Sequence, residues 1–214
     1  AIAVPINIAV KTRQLRFYLE NSGARLLIAD ASLLDALEPD ALKGLPLETI
    51  WCLDQSTQPH DLGVPVIAQS FAGQAIAPAS ATPGDPFAIL YTSGTTGRSK
   101  GAMITHGNLT SNTQALCQEW RITGADVMLH ALPIFHVHGL FVALHCALLS
   151  GARMLWLAKF DAAAVTGLLP RATVMMGVPT FYVRLLLDKE FTKKTTKNMR
   201  LFISGSAPLL TETF

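Results

Sequence analysis

Charge is scarce in this chain. Asp, Glu, Lys and Arg make up 15% of its 214 residues, and the formal net charge is +2. Nucleic-acid binding rests on a basic face that neutralises phosphates, so this balance argues against nucleic acid as the main partner. Cysteine is scarce too: Cys52, Cys117 and Cys146 stand far apart and form no Cys-x-x-Cys pair. That pattern fits reduced core thiols in a cytosol-like compartment, cytoplasmic or organellar, rather than a disulfide framework. No run is long enough to span a bilayer, since the longest apolar stretch, Val137–Leu149, covers about thirteen residues and carries His138 and His145. No positively charged leader precedes the opening Ala1-Ile-Ala-Val-Pro-Ile-Asn7, so no signal peptide is read there. What remains is ample apolar material, 50% of residues, for a globular core.

That material is distributed as alternating strands and helices. Ala1–Asn7 reads as a Pro-interrupted strand, Thr12–Asn21 as an amphipathic helix with Leu15, Tyr18 and Leu19 on one face, and Gly23 as its stop. Arg25–Ala29, Glu48–Leu53 and Val64–Ala68 read as strands, with a short helix at Ser32–Leu37. Residues 72–86 form a small-residue, proline-rich connector, a sub-structure boundary. Beyond it the pattern predicts helices at Asn108–Trp120, Val137–Leu149, Asp161–Leu169 (Asp161 as N-cap) and Pro179–Leu187, and strands at Val127–Ala131, Arg153–Leu157, Thr173–Gly177 and Leu201–Ser204. The fold class is α/β, in layers of mostly parallel sheet with flanking helices. The basic cluster Lys189, Lys193, Lys194, Lys197 and Arg200 reads as solvated surface.

Within this frame one stretch carries chemistry. After the apolar run Phe87-Ala-Ile-Leu90 comes Tyr91-Thr-Ser-Gly-Thr-Thr-Gly-Arg-Ser-Lys100-Gly101. Glycines let backbone N–H groups converge on a ligand, hydroxyls donate, and a lysine neutralises charge, so the loop is suited to phosphate. It is not a Walker A loop. Only two residues separate Gly97 from Lys100, and Gly101-Ala-Met-Ile-Thr105 reads as a strand rather than a helix. A second constellation, His130-Ala-Leu-Pro-Ile-Phe-His136-Val-His138, puts two histidines just past a strand end, where open α/β sheets bind ligands. A metal site is the rival reading, but no third ligand lies nearby in sequence.

The stretch YTSGTTGRSKGAMITHGNL resembles the signature loop of the adenylate-forming acyl-CoA ligase superfamily, and HALPIFHVHGLFVAL, PRATVMMGVPTFYVRLL and MRLFISGSAPLL follow in that family's order. Within the family the sub-group of malonyl-CoA synthetases is the most similar. The resemblance implies that Thr92, Ser93, Gly94, Thr95, Thr96, Gly97 and Lys100 bind the phosphates of ATP. By the same resemblance Gly205, Ser206, Ala207 and Pro208, in the loop after a strand, border the nucleotide. It places His136, His138, Ser204 and Arg184 on the acyl side, with Arg184 one helical turn beyond Thr180 and able to pair with a second carboxylate. The reaction implied joins a carboxylic acid, malonate or methylmalonate, to coenzyme A through an acyl-AMP, with ATP and Mg. The alternatives are a nucleotide-binding fragment without turnover, or a ligase for another short or medium acyl acid. The family's magnesium-binding glutamate, its hinge and its C-terminal domain have no counterpart in these 214 residues. The expectation is therefore a partial N-terminal, ATP- and acyl-binding domain with no complete catalytic set. Oligomeric state is not legible.

Overall fold

A computed structural model of the chain describes residues 1–54, 61–68, 77, 79–92 and 99–213. They divide into two compact units, Ala1–His106 and Gly107–Phe214. The division falls after the second strand of a hairpin, whereas the expected boundary at 72–86 lies earlier in the chain and is only partly within the described residues.

In the first unit, α1 (Thr12–Ser22) buries Tyr18 and Leu19 and ends on Gly23 in the left-handed region, φ 66°. A three-stranded parallel sheet follows, in order β1 (Leu26–Ala29), β2 (Thr49–Cys52), β3 (Val66–Ala68). The short α2 (Ala31–Asp35) is capped by Asp30, whose carboxylate accepts from the Leu33 amide. That cap starts the helix one residue earlier than the sequence pattern predicts. Leu19, Leu34, Leu42, Ile50 and Cys52 form the core of this unit. Ala1–Asn7 is not the strand expected. Only Ala3 bridges to Ala88, with Ala3 N–H donating to Phe87 O and Ile89 N–H to Ala3 O, and Pro5, lacking an amide proton, interrupts any longer ladder.

The one antiparallel pair among the described strands is β4 (Pro86–Thr92) with β5 (Lys100–Thr105), in a register that sets Thr92 opposite Lys100 and Tyr91 opposite Gly101. The segment 93–98 between them lies outside the described residues.

The second unit is a four-stranded parallel sheet in the order β7 (Arg153–Trp156), β6 (Val127–His130), β8 (Val174–Gly177), β9 (Leu201–Ser204). Side chains alternate between its faces. Met128, Val174 and Met176 pack with α3 (His106–Glu119) and α4 (His145–Ser150), while Leu129 and Met175 pack with α5 (Ala162–Leu168) and α6 (Pro179–Leu186). Asp161 caps α5 as expected, accepting from the Ala164 amide at 2.9 Å. The predicted helix over Val137–Leu149 winds differently: His138–Leu144 is a π-helix that passes into α4, and His145 Nδ1 lies 2.6 Å from Leu140 O. Among the described residues no helix is long and apolar enough to cross a membrane. Cys52, Cys117 and Cys146 are free thiols.

Candidate functional site

The described parts of the expected phosphate loop are its two ends. Thr92 closes β4, and Lys100, half a hairpin away, opens β5 with its side chain exposed. Ser93, Gly94, Thr95, Thr96 and Gly97 lie outside the described residues.

In the second unit a site takes shape at the carboxyl ends of the parallel strands. The π-helical turn puts His138 beside the loop that leaves β9, and His138 Nδ1 lies 3.1 Å from Ser206 Oγ. The ring rests on Gly205, where an added Cβ would come within 3.0 Å of His138 Cε1. Only glycine leaves room for this contact, since 3.0 Å is well inside carbon van der Waals separation. Ser206 itself sits at φ 70°, a left-handed conformation that costs a non-glycine residue of order 1 kcal/mol or more and persists only where surroundings enforce it. Gly205 N–H donates to Gly177 O at 3.0 Å and Tyr182 Oη donates to Ile203 O at 2.5 Å, so α6 and β8 hold the β9 loop in place. An open groove of about 340 Å³ runs between His138, Ser204–Ser206, Asn112 of α3 and Trp120 just after that helix.

Among the described residues the buried Ser204 hydroxyl has no hydrogen-bond partner, and the ring nitrogens of His130, which is only 1% exposed, have none of good geometry, the Leu132 backbone being the group that acts on them. His130 ends β6, and its ring lies 4.4 Å from that of Trp156, its register partner on β7. Burial drives its pKa down to about 4, against a smaller opposing pull from the Leu132 backbone. Burial lowers the pKa of His138 as well. Both imidazoles are therefore neutral at pH 7, each offering one donor and one acceptor nitrogen.

The other expected residues lie elsewhere. His136 is exposed, its ring 4.9 Å from that of Phe135. Ala207 and Pro208 are exposed and do not line the groove. Arg184 is exposed on α6, with its guanidinium carbon 4.8 Å above the centre of the Phe160 ring, and does not line the groove either. Thus His138, Ser204, Gly205 and Ser206 come together, and His136, Arg184, Ala207 and Pro208 do not join them. His130 was missed as a site residue in its own right; a histidine closing the apolar strand Val127–His130 just before a proline turn was the available signal. Asn112 on α3 and Trp120 just after it gave none, because which side of the helix meets the groove is set by packing. Among the described residues no three His, Cys, Asp or Glu side chains gather as metal ligands would.

The chain as a whole, residues 1–214, matches the family model described as AMP-binding enzyme. It is 33% identical over 226 residues to the mitochondrial malonate–CoA ligase of Mus musculus, which covers 97% of this chain and 37% of that protein. Among solved structures, the apo form of MatB from Rhodopseudomonas palustris superposes with a TM-score of 0.85 at 41% identity, over 99% of this chain and 41% of that one. A malonyl-CoA ligase in ternary product complex with methylmalonyl-CoA and AMP superposes at 0.77 and 33% identity, over 100% and 43%. The chain thus spans about two fifths of the length of these relatives.

Proposed function

The chain belongs to the AMP-binding enzyme family, and from that membership we propose that it supplies nucleotide- and acyl-binding parts of a ligase that activates a small dicarboxylic acid, malonate or methylmalonate. In the first step the acid's carboxylate oxygen attacks the α-phosphorus of ATP, forming acyl-AMP and releasing pyrophosphate. In the second the coenzyme A sulfur attacks the acyl carbon, its proton is lost to solvent, and AMP leaves. The observation that carries the reading is the set of buried, unpartnered polar groups, His130 and Ser204 Oγ, beside a strained Ser206 at the carboxyl edge of a parallel sheet. Buried polar groups are almost always hydrogen-bonded, so unfilled valences and local strain at a strand end, where ligands of open α/β sheets bind, support a binding role.

The roles follow from chemistry. Lys100 and the hydroxyl of Thr92, with Ser93, Gly94, Thr95, Thr96 and Gly97, face the β- and γ-phosphates and steady the charge that grows on departing pyrophosphate. Gly205, Ser206, Ala207 and Pro208 border the nucleotide. A neutral His138, held by Ser206, and the Ser204 hydroxyl offer hydrogen bonds to the acyl group, and His136, which lies away from the groove, is left without a role in it. Arg184, which makes no ion pair among the described residues, gives the second carboxylate a bidentate partner only after its guanidinium leaves the Phe160 ring, where it rests outside the groove. The described residues include no cluster of three His, Cys, Asp or Glu side chains that could hold a metal ion.

The test is ATP–pyrophosphate exchange, measured on this chain and on a form extended to the relatives' length. We expect malonate-dependent exchange from the extended form and none above background from this chain alone. Absence of exchange with malonate, methylmalonate and butyrate alike in the extended form would leave nucleotide binding without turnover. Replacing Arg184 by Leu in the extended form should erase the preference for malonate over butyrate, and an unchanged preference removes Arg184 from the acyl site.

A further inference from the structure

In the first unit, aromatic and polar contacts converge on a single rung of the β4–β5 hairpin. Tyr91 stands opposite Gly101, and its ring covers that glycine: a Cβ added at Gly101 would lie 3.4 Å from Tyr91 Cε1 and Cζ and 2.7 Å from Ile89 Cγ2. On its other side the Tyr91 ring stacks against Tyr18 of α1, with centroids 4.4 Å apart and planes at 27°, while Phe17 meets it edge-on at 6.1 Å. The Tyr91 hydroxyl donates to Asn21 Oδ1 at 2.7 Å. Tyr18 reaches the residue just before β5, where its hydroxyl lies 3.4 Å from Ser99 Oγ, and it takes a hydrogen bond from Gln14 Nε2. One helix therefore grips the hairpin on both sides of the Thr92–Lys100 pair.

A two-stranded antiparallel ribbon is marginally stable by itself, and a glycine inside a strand weakens it further. An aromatic ring laid over a cross-strand glycine repairs that weakness. Here the ring's own position is set by α1, through one stack and one hydrogen bond. Lysine carries its charge on a flexible stem, so where its amine can act depends on how firmly its Cα is held. We propose that Tyr91, Tyr18 and Asn21 are positioning residues for the phosphate-binding end of the hairpin, holding the Thr92–Lys100 rung in its binding arrangement before any anion arrives. This rests on the reading given above, in which Thr92 and Lys100 meet nucleotide phosphate.

The variants that test it are Tyr91→Phe, which keeps the ring, the stack and the cover over Gly101 and removes the hydroxyl with its bond to Asn21 and its contact with Ser22, then Asn21→Ala, and the two combined. Each is titrated calorimetrically with inorganic pyrophosphate, and its amide hydrogen exchange is followed without ligand. The expected result is a pyrophosphate affinity about three- to tenfold weaker in each single variant, the size of one net hydrogen bond. The double variant should lose no more than the worse single, because both changes break the same contact. Exchange should quicken by a similar factor at β4 and β5 amides and stay unchanged in the β1–β2–β3 sheet. Pyrophosphate affinity equal to wild type in both single variants overturns the proposal. Exchange quickened evenly across the whole unit also overturns it, since that marks a merely structural contact. Failure of the wild-type chain to bind pyrophosphate counts instead against the phosphate reading of the hairpin. In that case local quickening at β4 and β5 still supports the α1 grip, and unchanged exchange overturns it.

Discussion

The two edges of the four-stranded parallel sheet treat buried polarity in opposite ways. At the edge where the strands begin, Asp126 accepts from Arg200 Nε at 2.8 Å and Nη2 at 2.7 Å, from Thr173 Oγ1 at 2.7 Å and from the Thr123 amide at 3.0 Å. The same guanidinium donates to Trp120 O and Arg121 O, and Thr173 Oγ1 also accepts from the Val127 amide. The Arg200 hydrogen bonds hold the Asp126 carboxyl well below the usual carboxylate range. At the edge where the strands end, His130 and Ser204 Oγ have no well-formed hydrogen bond among the described residues and Ser206 is strained. A satisfied ion pair with its carboxylate almost fully buried ties four segments together. Unsatisfied groups contribute nothing to the fold and leave hydrogen-bonding capacity for something that binds. One edge of this sheet is closed by its own contacts, the other is the one proposed above to meet a ligand.

The sharpest way to break that contrast is to exchange the consequences of mutation. Asp126→Ala leaves Arg200 and Thr173 without their common acceptor and should cost about 3 kcal/mol in urea-induced unfolding. The groove at the far edge should keep its ligand affinity at temperatures where the variant is folded. A loss under about 1 kcal/mol would mean the network is ornamental.

Acid separates the two edges by pH window. Unfolded His130 takes up its proton near 6.5, whereas the folded protein resists until about 4. Stability is thus full above pH 6.5 and falls as pH drops through that window, by up to about 1.4 kcal/mol per pH unit from this group. Asp126 works lower: its folded pKa is depressed from 3.8, so its contribution is present above 3.8 and is lost as pH falls below it. His130→Phe should flatten the upper window only and Asp126→Asn the lower one only, as read from urea midpoints across pH 2.5–7.5, an interval of about five units that spans both.

Smaller effects sharpen the picture at the ligand edge. Gly205→Ala forces the new methyl against His138, and should cost about 1–2 kcal/mol and shift the His138 imidazole resonances in an NMR spectrum. Ser204→Ala removes a buried hydroxyl that has no partner. It should leave stability unchanged or raise it by up to about 1 kcal/mol while weakening malonate binding in the extended form, the trade expected of a functional residue. A destabilised Ser204→Ala protein would show that the hydroxyl serves the fold after all.

Much of the ligand edge was legible because its signals are local. Val127–His130 and Val174–Gly177 are short apolar runs, Asp161 and Pro179 mark helix starts, and the Ser204-Gly205-Ser206 turn follows its strand directly. The stability edge was nearly invisible. Arg200 reads in sequence as one more member of a lysine-rich surface cluster, and Lys189, Lys193, Lys194 and Lys197 are indeed exposed. Its partner Asp126 lies in a distant segment, and only the parallel order of β6, β8 and β9 brings the two strand starts together. Periodicity also cannot tell a π-turn from an α-turn in Val137–Leu149, because both bury an apolar stripe. Arg184 has the spacing of a groove residue, but the Phe160 ring gives its guanidinium a competing resting place.

The hairpin of β4 and β5 has a consequence in time as well as in space. Its rungs join residues as near in sequence as Thr92 and Lys100, while the parallel rungs of β6 and β8 must wait for everything between Met128 and Val174. Hairpins close in about 1–10 μs, and long-range parallel pairing is slower because loop entropy must be overcome first. During synthesis the scaffold proposed to carry the phosphate contacts can therefore be complete, with α1 already available to grip it, before the strand that ends in Ser204 has left the ribosome.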